Sequence, residues 1–254
     1  MSVAQDTSPD IALGAGARLR FEPFDSAHLG AAAYMLISSP DTTSLRVALN
    51  SLKGWLASKP RFALVTARPA NAEQESNLGQ AGFHKVETSM TFRRSFDDLA
   101  SQADPRVTFA ESADEADCVA LGSRAFVTDR FHREPAIPKA AADALKADWV
   151  RNSLHGRADR SFVARQGGRP AGFNLCMVRG DTASIDLIAV DSAQRRKGLA
   201  RALVEASLSH YRERGLARMQ VKTQADNAAS IALYRQCGFE LIEQSAVYHL
   251  TPVR

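Results

Sequence analysis

Along the chain, apolar positions recur with two different periods, and the change from one to the other marks out the elements. In the first part, AAAYMLISS (31–39) and TSLRVALNSLKGWLAS (43–58) predict helices, and RFALVTA (61–67) predicts a strand. NAEQESNLGQAGF (71–83) then reads as a helix and HKVETSMTF (84–92) as a strand. The polar, proline-containing stretch RSFDDLASQADPR (94–106) is the candidate linker. After it, RVTFA is a short strand, and ADEADCVALGSRAF is a helix with an apolar stripe at Ala116, Val119, Ala120 and Phe126. PKAAADALKADWVRNSL is a helix opened near Pro138. SFVARQGGRPAGFNLCMVRG gives two strands around Gly167–Gly168, and DTASIDLIAV a third. A helix starts near Gly198, the strand ARMQVKT follows Gly215, a helix runs from about Asn227, and FELIEQSAVYHL closes as a strand. This order predicts three regions: 1–94, a linker at 95–105, and 106–254.

The two regions share an echo. The offset from Asn71 to Phe83 equals that from Asn227 to Phe239, and each segment leads through Gly-Phe into a strand. Two ordinary helix–Gly–strand junctions would look the same. The first region has no counterpart of QRRKGLA (194–200), so it reads as half a module.

Composition narrows the classes. A length of 254 residues, 45% of them hydrophobic, is enough for one large or two small domains with real cores. The formal charge of +4 is spread in both signs and no nucleic-acid module is present, so nucleic acid is not an expected partner. Three cysteines, Cys118, Cys176 and Cys237, give neither a disulfide framework nor a metal spacing, and they read as small buried hydrophobes. No metal is expected. The N-terminus lacks the basic start and apolar core of a signal peptide, and no window approaches the ~20 apolar residues of a membrane helix. The expected location is the cytoplasm, away from membrane.

The chemistry concentrates at QRRKGLA, between the strand IDLIAV and a helical pattern. Arginines there could simply face water. At a helix start, however, unpaired N–H groups and the positive end of the dipole favour an anion, and Gly198 and Ala200 keep the approach clear of bulk.

IDLIAVDSAQRRKGLARALVEA with VKTQADNAASIALYRQCGFELI resembles the GCN5-related N-acetyltransferase (GNAT) superfamily over residues 106 to 250. The resemblance implies an α/β (α+β) GNAT fold, a mixed central sheet flanked by helices, preceded by an N-terminal partial GNAT-like half. It implies acetyl-CoA as co-substrate, with the pyrophosphate on Arg195, Arg196, Lys197, Gly198, Leu199 and Ala200, the pantetheine arm along Ile188 and Val190, and Asn227 in the same site. It implies Tyr234 as general acid; by pattern alone Tyr234 reads as a core aromatic. Asp186 lies two residues after the superfamily's acidic position, here Ser184, on the same strand face. It is either the base or a binder of substrate hydroxyls.

Within the superfamily, the C-terminal third is similar to the enzymes that acetylate protein N-termini on a ribosomal protein. The whole chain is more similar to the dTDP-fucosamine acetyltransferases, which act on a nucleotide-linked 4-amino-4,6-dideoxy sugar. The carriers are the Asn, Leu-rich helix of the first half, the AFVTDRFHREPAIP segment with its Trp-containing helix, and Thr223 and Gln224 before Asn227. Lys222 stands where the peptide enzymes have a catalytic glutamate. The sugar reading implies substrate contacts from Arg130, Phe131, His132, Thr223 and Gln224, with Arg130, Arg133 or Lys139 neutralising a second pyrophosphate. The expected partner is a small-molecule amine. The first half either walls the acceptor pocket or mediates a homodimer. Two other readings stay open, a protein N-terminal or small-amine acetyltransferase and a non-catalytic acyl-CoA-binding module.

Overall fold

The computed structural model describes residues 10–39, 41–58, 60–96 and 104–252. In chain order the strands are β1 (Ile11–Gly14), β2 (Ala17–Phe21), β3 (Ala32–Ile37), β4 (Phe62–Ala67), β5 (His84–Ser95), β6 (Val107–Phe109), β7 (Arg160–Gln166), β8 (Arg169–Arg179), β9 (Thr182–Val190), β10 (Arg218–Gln224) and β11 (Glu240–Leu250). The helices are α1 (Pro23–Leu29), α2 (Thr42–Ala57), α3 (Ala72–Gln80), α4 (Glu115–Ala125), α5 (Arg130–Arg133), α6 (Lys139–Asn152), α7 (Leu199–Glu213) and α8 (Ala228–Gln236). This is the expected mixed α/β architecture.

Two compact units form, and they do not part at 95–105. One comprises 1–88, 130–141 and 245–254; the other comprises 89–129 and 142–244. Strand β5 runs through Ser95, and Phe96 after it is 5% exposed in the core of the second unit, so the start of the expected linker is built into the fold. Residues 97–103 of that linker lie outside the described residues.

In the first unit, β1 pairs antiparallel with β2 and β2 with β3, β3 runs parallel to β4, and β4 takes the end of β11 antiparallel. The sequence AAAYMLISS, expected as a helix, is strand β3. Its alanines favour a helix in isolation, but neighbours on both edges satisfy its backbone and its Ala33, Tyr34 and Leu36 are buried, so tertiary pairing overrides propensity. The core joins Leu19, Leu45, Leu49, Leu52, Val65, Leu78 and Phe83. The segment containing α5 is fixed by charge. Arg130 bonds Thr66 Oγ1 at 2.9 Å and Asp25 Oδ2 at 3.0 Å and lies over the Phe131 ring at 4.0 Å. Glu134, 2% exposed, holds His84 Nε2 at 2.8 Å and His249 Nδ1 at 3.0 Å on one oxygen. Burial acts to raise the Glu134 carboxyl, but hydrogen bonds from His249, the Ala136 N–H and His84 outweigh it and hold the group below its ordinary value.

In the second unit, β10 lies between β5, antiparallel, and β9, parallel. β9, β8, β7 and β6 continue antiparallel. α7 and α8 cover one core, with Ile185, Val221, Leu203 and Tyr234. α4 and α6 cover another, with Cys118, Leu121, Val150, Leu175 and Leu187. The buried side of α4 is thus Cys118, Leu121 and Gly122, whereas Ala116 and Ala120 of the expected stripe are exposed. All three cysteines are buried and free.

The echoed junctions have matching geometry. Asn71 Oδ1 accepts from Gln74 N at 2.9 Å and Asn227 Oδ1 from Ser230 N at 3.1 Å, so each asparagine caps its helix. At the other end Phe83 N donates to Leu78 O at 3.0 Å and Phe239 N to Tyr234 O at 2.9 Å, each across a left-handed glycine, Gly82 (φ 91°) or Gly238 (φ 77°).

Candidate active site

The site begins with a register defect. Along β9 and β8, Leu187 faces Leu175 but Ile185 faces Cys176, so Asp186 is an extra residue in β9. The effect is visible in the cores: Ala183 and Ile185 belong to the α7/α8 side before the bulge, whereas Leu187 and Ala189 belong to the α4/α6 side after it. On its other edge, β9 pairs with β10 only as far as Val221–Ile185 among the described residues, although β10 continues to Gln224 against β5. The strands part there, and a cavity of about 1130 Å³ opens between them, lined by Ile185–Val190 and Val221–Gln224.

One end of the cavity is the QRRKGLA loop. Gly198 (φ 77°) caps α7, and Arg196, two residues earlier, is also left-handed (φ 61°). Left-handed residues in a tight turn coil the backbone so that successive N–H groups gather into an anion-binding concavity. Ala202 N is the first α7 donor to reach a carbonyl, that of Gly198, at 2.9 Å, which leaves the N–H groups of Leu199, Ala200 and Arg201 at the helix start. A Cβ on Gly198 would have room, its nearest neighbour being Arg106 Nη2 at 3.8 Å, so glycine is required by backbone angle rather than space. Arg106 supports the loop from outside: it forks onto Asp104 and donates to Lys197 O at 3.0 Å. These residues fit a pyrophosphate, and the edge of β9 beyond Ile185 has backbone groups for an extended amide arm.

The other end is charged and aromatic. Asp186 Oδ2 accepts from Trp149 Nε1 at 2.7 Å and Arg157 Nη1 at 2.6 Å, and among the described residues no hydrogen bond goes to Oδ1. Lys146 Nζ is 3.6 Å from Asp129 Oδ2 and lies over the Phe126 and Trp149 rings at 5.3 and 4.7 Å. Lys222 also lines the cavity.

Tyr234 completes the lining. It is 2% exposed and packs against Phe92 and Phe239, so it is a core aromatic and a cavity residue together. Burial raises its phenol above the ordinary value, which keeps the proton on the oxygen at neutral pH. The cysteines are outside the lining, and burial pushes Cys118 up to about 12 and Cys237 to about 11, far from nucleophilic thiolates.

Of the residues singled out in the sequence, the cavity brings together Asp186, Ile188, Val190, Arg195, Arg196, Gly198, Leu199, Ala200, Thr223, Gln224, Asn227 and Tyr234. Lys197 is not in the lining; its carbonyl is held by Arg106 and its ammonium bonds Gln194. Arg130, Phe131 and His132 are not in it either, nor are Arg133 and Lys139. Arg130 is committed to Asp25 and Thr66, and Phe131 is 1% exposed, so neither presents a surface for a ligand. Sequence reading missed Arg106, Asp129, Lys146 and Arg157. Trp149 carried a signal, as the one aromatic residue in α6, a helix rich in alanine and charged residues.

Residues 125–239 match the model of the Acetyltransferase (GNAT) family. A spore coat polysaccharide biosynthesis protein, SpsD, of Bacillus subtilis is 28% identical over 132 residues, covering 52% of this chain and 46% of that protein. A [ribosomal protein bS18]-alanine N-acetyltransferase of Escherichia coli is 39% identical over 87 residues, covering 34% of this chain and 59% of that one. The chain thus spans about half the length of these relatives. A GCN5-related N-acetyltransferase from Sphaerobacter thermophilus shares the fold with a TM-score of 0.65, at 16% identity over 94% of this chain and 78% of that one. The loop, the parted strands and these likenesses agree in pointing to the GNAT acetyltransferase family, whose model the chain matches over residues 125–239.

Proposed function

We propose that the protein is an acetyl-CoA-dependent N-acetyltransferase whose acceptor amine is carried on a nucleotide-activated 4-amino-4,6-dideoxy sugar. The observation that carries the reading is one cavity lined by the Gly198–Ala200 cradle, Tyr234 and Asp186. Acetyl-CoA, when bound, supplies the acyl group as a thioester. The cradle of Gly198, Leu199 and Ala200 holds its phosphates, and the exposed edge of β9 at Ile188 and Val190 orients its arm. An amine attacks only when neutral, so an ammonium must first lose a proton; Asp186 Oδ1 is the acceptor placed for it. Trp149 and Arg157 fix that carboxylate through Oδ2. Tyr234, kept protonated by burial, holds the proton that a leaving sulfur requires.

The sugar class is supported by Thr223 and Gln224 in the lining and by Lys222 on the wall, a cation where peptide enzymes of the superfamily have glutamate. The relative in polysaccharide biosynthesis points the same way. The likeness to the bS18-alanine enzyme favours a peptide acceptor as the second reading. Thiol release from acetyl-CoA, measured with a panel of dTDP- and GDP-linked 4-amino sugars, amino-terminal peptides and polyamines, separates them. Turnover of the nucleotide sugars is expected; turnover of peptides alone refutes the sugar acceptor, and no turnover with any amine leaves an acyl-CoA-binding module.

A further inference from the structure

The acceptor end of the cavity has an unbalanced charge. Asp129 is matched by Lys146 and Asp186 by Arg157. Lys222 is exposed, lines the cavity, and makes no ion pair or hydrogen bond among the described residues. Its place follows from the register. Val221 and Ile185 are the last paired residues of β10 and β9 and both point into the α7/α8 core. Lys222, the next residue of β10, therefore turns to the opposite face, and Asp186, the extra residue of β9, is on that face because it bonds Trp149 of α6; the strands are about 4.8 Å apart where they begin to separate. Asp186 is already engaged by Arg157, and no salt bridge joins it to Lys222. The result is a carboxylate oxygen suited to an amine with an uncommitted ammonium beside it.

We infer that Lys222 binds an anionic group, phosphoryl or carboxylate, that the acceptor carries a few bonds from its amine, and that this contact selects anionic amines over neutral or cationic ones. The inference deepens the proposed activity and rests on that reading for the site, but not on the acceptor being a sugar. An uncompensated cation in a concave wall, in a cavity that Lys146 also lines, focuses a positive potential into the site, so a free cationic amine is disfavoured unless it brings its own anion. Lys146 contributes less, because Asp129 already balances it.

The test compares a dTDP-linked 4-amino-4,6-dideoxy sugar with its methyl glycoside, which has the same amine and no phosphate, in wild type, Lys222→Glu, Lys222→Ala and Lys222→Arg. The KM ratio of neutral to anionic acceptor is expected to fall roughly tenfold to hundredfold in Lys222→Glu, less in Lys222→Ala, and to stay near wild type in Lys222→Arg. Equal KM changes for both acceptors, or none, overturn the inference. A second measurement does not need turnover: calorimetric titration of enzyme saturated with CoA, using dTDP, pyrophosphate and succinate. Binding that is lost in Lys222→Glu supports the contact, and the tightest ligand tells phosphoryl from carboxylate. No binding of any of the three to wild type overturns it. If the sugars are not turned over but other anionic amines are preferred in a Lys222-dependent way, the sugar reading fails and this inference stands.

Discussion

The α3 and α8 junctions are built alike and differ in what they present. Each has an asparagine cap, a carbonyl of the last turn bonded to a Phe N–H, and a left-handed glycine leading into a strand. At the position whose carbonyl takes that bond, α3 has Leu78, 1% exposed in a closed core, and α8 has Tyr234, 2% exposed but lining a cavity. The same local construction therefore sits in a core in one place and lines a cavity in the other, and under the proposed function the difference is one phenolic oxygen beside parted strands.

The comparison is tested most severely at those two side chains. Tyr234→Phe is expected to lower kcat by about 10²- to 10⁴-fold with the KM for acetyl-CoA nearly unchanged. Leu78→Ala should cost about 2–5 kcal/mol of stability and leave kcat alone. Steady-state thiol release and denaturant midpoints on both variants decide it; similar kcat losses would show that the two junctions are not functionally distinct. The glycines come next. Alanine in left-handed backbone costs about 1–2 kcal/mol at either site. At Gly238 the new Cβ would stand 3.0 Å from the Arg94 guanidinium, which donates to Cys237 O, whereas at Gly82 it would stand 3.5 Å from a Leu250 methyl. Gly238→Ala should thus be the more destabilising by thermal unfolding, and equal costs would remove the role given to Arg94. The smallest effects belong to the caps. Asn71→Ala and Asn227→Ala should each lose about 1 kcal/mol. Only Asn227→Ala should also raise the KM for acetyl-CoA, by a few-fold, because only Asn227 lines the cavity; a kinetic effect from Asn71 would contradict the comparison.

What the sequence disclosed is what neighbours in the chain determine. The α3 and α8 caps, the glycine at the start of α7 and the strand before it follow from residue type and spacing, and the QRRKGLA end of the cavity was legible for that reason. The charged, aromatic end depends on pairs distant in sequence, such as Trp149 and Arg157 on Asp186, and so does the support of the loop by Arg106 on Lys197. The cations of DRFHREP illustrate the limit: their charge suggested a ligand, yet Arg130 has its counter-ion 105 residues earlier at Asp25. Strand β3 was lost because alanine-rich apolar runs suit either a buried strand or a helix until their edges are known. The bulge at Asp186 has no composition signal, since only the partner strand reveals the extra residue.

The Arg130–Ala141 segment has a consequence for how the chain can be divided. The backbone passes between the compact units at 88/89, 129/130, 141/142 and 244/245. A piece cut at residue 106 would lose Ser89–Ser95, the antiparallel neighbour of β10, and would leave Arg130 without Asp25 and Thr66 and Glu134 without His84. Such a fragment would have an open strand edge, an Arg130 without its Asp25 counter-ion and a Glu134 keeping only His249 of its two histidines, so a single cut releases neither unit intact.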